Sequence, residues 1–520
     1  MVKSMVFLAL SLVWVTSVAS AQQPAKPLYV VEDSYLRWRL LPAEQAYLSI
    51  DGKHLKEYVE ELTAISRRYR DNGHPQFWGR ITGTEADAEN AHWLLDKFRK
   101  IGLSDVHEQS LDLPPQWMPA SWSVSASAGG KTLALESAQP TSTSPGTPPS
   151  GLDLEAVDVA LASEGDLAGR DLRGKAVFFY SADYTSRQAP ISDYAIKRIG
   201  DRGAAAIFVI VGLPGNLRTQ FYPVGSAVPT FSLGLQDGMA IRDLIGQARG
   251  GQPPRVKIRL DVKTVPNLKT ATVWGSLPGT SDETIFVVAH RDGWFEGATD
   301  NASGVATMLG LAEYFAKIPK EQRRRTIHFL GTSGHHDNSG MTGHWLADHK
   351  EMFAKTALII NCEHTSAEQL VYRGGVIRRT NTTVPLRWYV GGSRRLEEIA
   401  VKAYDAFGVA TYAEPEASAG GEMRPFYQLA PSLQLIEGNL YWHSDRETDE
   451  VVPPTGLAAS TRAYAKIITD VNQLGLKDLL RPQSTEARRL VPAPARREHA
   501  DFIRSKTRSI RTCMVCSIEA

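Results

Sequence analysis

Apolar runs in the second half of the chain each lead into a cluster of histidine and acid. TIFVVA runs into His290, Arg291 and Asp292, and TIHFLG leads to His335, His336, Asp337 and Asn338. ALIIN runs into Cys362, Glu363 and His364, and SLQLI leads within a few residues to His443. Asp300 stands just before a helical pattern, Asn301 to Phe315, in which Val305, Met308, Leu309, Ala312 and Phe315 share one face. Strands that alternate with helices from about residue 266 to 476 imply an α/β fold with a mostly parallel sheet covered by helices on both faces. In such a sheet ligands bind beyond the carboxyl ends of the strands. Several strand ends therefore bring imidazole and carboxylate groups to one sheet edge, a donor set that suits zinc and related divalent ions.

Other chemistries fit less well. The cluster has no GxSxG elbow, which disfavours a serine hydrolase, and the chain has no GxxxxGK[ST] loop for nucleotide phosphates. The apolar neighbours Leu358, Ile359 and Ile360 mark Cys362 as a buried structural thiol rather than a nucleophile. The 58 Lys+Arg against 57 Asp+Glu give a net charge of +1, without the basic surplus that nucleic-acid binding needs. Three cysteines in 520 residues exclude a disulfide framework.

The amino terminus has the pattern of a cleaved secretory signal, residues 1–21. Lys3 is followed by an apolar run from Met5 to Val18, and Ala19-Ser20-Ala21 supplies the small-residue cleavage site. The run is shorter than the roughly 20 residues of a spanning helix, so no stable membrane span is expected after cleavage. Loss of this segment removes one Lys, leaving 57 basic against 57 acidic residues, and places the protein in the periplasm or outside the cell.

The remainder divides into an N-terminal part of the main domain (29–130), an inserted α/β unit (131–264), the main domain (265–476) and a flexible basic tail (477–520). Leu55, Val59, Leu62 and Ile65 form one helix face, and Ala91, Leu94, Leu95 and Phe98 belong to a second helix opened by Thr84 and closed at Gly102. The Ser/Thr/Pro/Gly stretch 137–150 reads as a linker or loop. Cys513 and Cys516 form a lone CxxC in the tail, a weak metal signal. In the inserted unit, the strand KAVFFY (175–180) and the Gly203-Ala204 step before AAIFVIV (205–211) resemble a protease-associated (PA) domain.

AHRDGW (289–294) followed by GATDNASG (297–304) resembles the metal-binding signature of M28 zinc peptidases, and YWHSDRET (441–448) resembles that family's terminal histidine motif. RITGTE (80–85) is similar to its early turn. The resemblance implies a phosphorylase/hydrolase-like fold and a zinc-dependent exopeptidase, aminopeptidase or carboxypeptidase, acting on peptides. Zinc would be bound as two ions, with one possible here. Carried over by position, His290 and Glu363 hold one ion, Asp300 bridges, and His443 holds the second. The family's adjacent glutamates are missing. One alignment puts Asp337 in the base position and Asn338 in the ligand position; a shift of two residues puts His335 and His336 there. The combination of residue types that works best makes His336 a ligand and Asp337 the general base. Trp442 stands where the family has a tyrosine, and Tyr441 is a substitute oxyanion contact. The alternatives are a degenerate shell that binds peptide or protein without cleaving it, and a single-zinc enzyme similar to glutaminyl cyclases. The oligomeric state is open.

Overall fold

A computed structural model of the chain describes residues 40–181, 189–337 and 339–480. The expected signal segment, Asn338 and the tail from residue 481, with Cys513 and Cys516, lie outside the described residues. Among the described residues no helix is long and apolar enough to cross a membrane.

The main sheet has the strands β1 (Ser104–Asp112), β2 (Lys269–Leu277), β3 (Thr284–His290), β4 (Thr326–Thr332), β5 (Thr356–Cys362), β6 (Arg387–Gly391) and β7 (Ser432–Ile436), in the order β6-β7-β5-β3-β4-β2-β1. The central strands β7, β5, β3 and β4 run parallel, and the edges are closed by antiparallel β6 on one side and by β2 and β1 on the other. The parallel part is thus the centre of a mixed sheet. Its strands read as unbroken apolar runs because both faces are covered. In β3, Ile285, Val287 and Ala289 face one core while Phe286 and Val288 face another.

The first core is roofed by the helices α1 (Gly52–Asp71), α2 (Glu85–Ile101), α3 (Gly304–Ala316), α4 (Arg394–Phe407) and α5 (Pro454–Val471). The expected faces of α1 and α2 are the buried ones. Gly102 ends α2 in the left-handed conformation at φ 88°, where only glycine is free of strain. The helix expected from Asn301 starts at Gly304, because Asp300 and Asn301 have non-helical backbone angles. The second core holds Trp345, on the helix Met341–Asp348, with Phe353, Met423 and Phe426.

A second sheet runs in the order 131–134, 116–128, 255–265, 152–158, 176–181, 206–211, 230–233, 139–140. The strand Gln116–Ala128 pairs with Arg255–Val265 from end to end, so this sheet begins before the boundary drawn at residue 131. The stretch 137–150 is packed rather than a free linker. Ser137 donates to Asp237 through its backbone N–H (2.8 Å) and hydroxyl (2.7 Å), Gln139–Pro140 is an edge strand, and Trp117 donates to the Ser144 carbonyl (2.8 Å). Ser and Thr signal loops because they bond locally to backbone; here those bonds close the edge of a sheet. The final described turn, Leu476–Leu479, buries Leu479 against α4, so the main domain extends past residue 476.

Candidate active site

Asn301 ties the ends of β3 and β5 together. Its side-chain amide donates to the carbonyls of His290 and Cys362, both at 3.0 Å, and its oxygen accepts the His364 N–H at 3.0 Å. Glu447 makes a second tie. Its carboxylate oxygens accept the backbone N–H groups of Asp300 and His443, both at 2.7 Å. Four segments far apart in sequence are thereby held around one buried carboxylate, Asp300.

Asp300 Oδ2 lies 3.2 Å from His336 Nε2 and 2.9 Å from His443 Nε2, and it accepts the Trp442 indole N–H at 2.7 Å. Oδ1 lies 3.2 Å from His290 Nε2 and 3.1 Å from His364 Nε2. Asp292 lies behind this layer: its Oδ2 meets the His336 ring Nδ1 (3.0 Å) and accepts the His336 backbone N–H (2.9 Å), which leaves Nε2 facing Asp300. Both ring nitrogens of His290 and of His364, and Asp300 Oδ1, are buried without a hydrogen bond. Ligand atoms of His290, Asp300 and His336 lie within 4.8 Å of one another, as do those of His290, Glu363 and His364. Tetrahedral zinc, with bonds of about 2.0–2.1 Å, needs donors only about 3.4 Å apart. These buried nitrogen and oxygen donors, with those of His290, His364 and Asp300 Oδ1 left without a hydrogen bond, fit a divalent metal ion.

The electrostatics agree. Burial disfavours charge on His290 and His336, yet the bonds and charges of Asp292 and Asp300 overcome it and raise both imidazoles to about 9. Burial also opposes charge on Asp292 and Asp300, and the neighbouring imidazoles outweigh it, holding both carboxyls well below the ordinary range. The cluster thus calls for compensating positive charge. For His443 burial wins and pushes the ring down to about 3, so it is a neutral lone-pair donor.

Glu363 is held by the Asn361 side-chain amide and the Glu422 N–H, both 2.7 Å from Oε2, while Oε1 faces His290 Nε2 (3.9 Å) and His335 Nε2 (3.8 Å). Glu422 accepts from the Thr332 and Thr342 hydroxyls on one oxygen and meets His335 Nδ1 at 3.0 Å with the other. The His335 ring stacks on His290 at 4.1 Å. A cavity of about 710 Å³ opens here, lined by Asp300, His335, Glu363, His364, Glu422 and Trp442, with Tyr222 contributed by the second unit.

His290, Asp300, Glu363, His336 and His443 therefore converge. Asp337 does not join them. It lines a separate cavity with Trp117, Trp294 and Pro223; its Oδ1 accepts the Ser339 N–H (2.8 Å) and its Oδ2 is buried without a partner. Tyr441 is also displaced, because its ring packs against the apolar core of the second unit. Of the residues sequence reasoning did not assign, His364 was visible as the neighbour of Glu363. Tyr222, Glu422 and the indole N–H of Trp442 had no local signal, since each acquires its role through a contact distant in sequence.

Residues 272–467 match the profile of Peptidase family M28. An aminopeptidase of Bacillus subtilis (strain 168) is 24% identical over 261 residues, 48% of this chain and 50% of that protein, so the match spans about half of that relative's length. Among solved structures, the chain is similar to a peptidase M28 precursor from Shewanella amazonensis SB2B at 18% identity and a TM-score of 0.64, covering 85% of this chain and 97% of that one. A zinc aminopeptidase from Bacillus subtilis gives 18% identity and a TM-score of 0.59, covering 83% and 98%. An aminopeptidase from Aneurinibacillus sp. strain AM-1 gives 17% and 0.53, covering 82% and 94%. At these identities the likeness establishes the fold.

Proposed function

We propose that this chain, which carries a peptidase family M28 domain over residues 272–467, is an exported zinc-dependent aminopeptidase. The observation that carries the reading is the convergence of His290, His364, His336 and His443 on the two oxygens of Asp300. The resemblance of the solved aminopeptidases supports it, as does the cavity that opens beside these groups. The second unit is a PA-like insert that narrows the approach. Export rests on the signal-like residues 1–21.

His290, Asp300, Glu363, His336, His364 and His443 supply the donors among which zinc would be held. The Trp442 N–H on Oδ2 and the sharing of His290 by both donor groups favour one ion per chain. When bound, zinc supplies Lewis acidity toward a carbonyl oxygen and acidifies water. The chain's own residues move the proton. Glu422 engages His335 Nδ1, so His335 Nε2 faces the cavity beside Glu363. We assign this atom, rather than Asp337, as the general base. It takes a proton as the water oxygen bonds to the scissile carbonyl carbon, then delivers it to the amine nitrogen as the C–N bond breaks. Burial alone pushes the imidazole down, and the Glu422 bond with the charges of Glu363 and Glu422 raises it to about 9.

Elemental analysis of the purified protein is expected to find about one zinc per chain. Peptides with a free amino terminus should release amino acids while their acetylated forms do not, and His335→Gln should abolish release with zinc retained. A zinc-loaded protein inactive on every peptide would favour the binding-shell alternative.

A further inference from the structure

In the main cavity the Trp442 indole N–H is committed to Asp300 Oδ2 at 2.7 Å, so it is not available to a substrate carbonyl. Tyr441 is turned into the second unit's core. One phenol nevertheless reaches the cavity: Tyr222, which lines it together with Asp300, Glu363 and Trp442. Its hydroxyl makes no hydrogen bond to the described residues.

The Tyr222 ring is held in place. It stacks parallel to the His336 ring (6.0 Å between centroids, 8° between planes), meets His443 edge-on at 5.1 Å and Trp294 at 5.0 Å. The loop that carries it is pinned to the site. The Gln220 N–H donates to the His443 carbonyl at 2.9 Å, Thr219 forms an isolated β-bridge with Ser444, and Arg218 and Asp445 exchange backbone and side-chain bonds. Gln220 is gripped on its other side by Gln139 and the Pro140 carbonyl, so the loop is fixed to both units. An O–H carried on a ring packed against His336 and His443, in the wall of the cavity and without a hydrogen bond to the described residues, has the properties of a preorganised donor to developing negative charge.

We infer that the Tyr222 hydroxyl, supplied by the second unit, donates the hydrogen bond that stabilises the oxyanion formed when water adds to the scissile carbonyl. This rests on the peptidase reading above. No proton is transferred: the O–H shortens its bond to the carbonyl oxygen as negative charge builds there and relaxes when the C–N bond breaks. Tyr222 is thus a catalytic residue, and the second unit shares in the chemistry as well as in access.

The test is Tyr222→Phe in the full chain, measured against wild type for turnover, zinc content, thermal midpoint and affinity for a phosphonate analogue of a dipeptide. The expected result is a fall in kcat of about 10²-fold. KM should change less than about twofold, zinc and midpoint should be unchanged, and the analogue should bind more weakly by the same factor as kcat. Wild-type kcat and analogue affinity in the variant would overturn the inference and leave the peptidase reading standing. Loss of zinc or of thermal stability in step with turnover would assign the ring to packing and also overturn it. A wild-type protein that neither releases amino acids nor binds the analogue would remove the peptidase reading, and this inference with it.

Discussion

Asp337 is a carboxylate whose surroundings do not repay its charge. Burial raises its pKa from 3.8 to about 6, and Oδ2 finds no donor. The sign follows from proton counts. Between these two values the folded chain binds more protons than the unfolded one, so stability falls as pH rises, and above about 6 the full penalty of ionised burial is present. Asp337→Asn keeps the size and removes the charge. It is expected to raise unfolding stability by on the order of 1–3 kcal/mol at pH 8, with the gain fading as pH drops through 6 toward 4. Turnover should be retained. Denaturation at several pH values together with a peptide assay checks both, and loss of turnover with zinc in place would return the base to Asp337. The sequence alone favoured this residue because it is the only carboxylate between Gly334 and Gly340. Which cavity it lines depends on the turn that follows β4, and residue types do not encode that.

At the scale of elements, the strand ends were legible and the loops between them were not. β3, β5 and β7 could be placed within a residue or two because uninterrupted apolar runs end abruptly in polar groups, and a buried parallel strand has little other way to end. The loop from Gly420 to Arg424 carries no comparable pattern, yet it supplies Glu422 to the cavity and an N–H to Glu363. Its conformation depends on Gly421. This residue has φ 50°, and a Cβ there would sit 2.1–2.4 Å from the Glu363 carboxylate, an overlap that backbone and acid can relieve only by moving apart. Gly421→Ala is therefore expected to displace Glu363, weaken zinc retention at least about tenfold and cost on the order of 1–3 kcal/mol. Titration with a chelator and a melting curve measure the two effects. Wild-type zinc affinity in this variant would mean that Glu363 is not a ligand.

At the scale of the molecule, the two sheets meet at the site itself. Composition suggested an insert joined by a Ser/Thr/Pro-rich linker or loop; the stretch is packed against the second sheet, and Tyr222 lies against His443 and His336. That arrangement was not legible because it depends on pairs such as Arg218 with Asp445, 227 residues apart. Both partners are partly exposed, so Arg218→Ala should cost less than about 1 kcal/mol of stability. It should still lower turnover by about three- to tenfold by loosening the seat of Tyr222. Turnover equal to wild type would show that backbone pairing alone seats the loop.

The ties at Asp300 also bear on when the site can come into being. His443 and Trp442 stand 143 and 142 residues after Asp300, and Glu447, which holds the backbone of both loops, comes later still. A chain growing from its amino terminus completes the second sheet and most of the first before these residues leave the ribosome. Closing so large a loop is among the slow steps of folding. Every amino-terminal fragment that stops short of residue 443 lacks a histidine of the cluster, and one that stops short of 447 lacks the carboxylate that holds the Asp300 and His443 loops together.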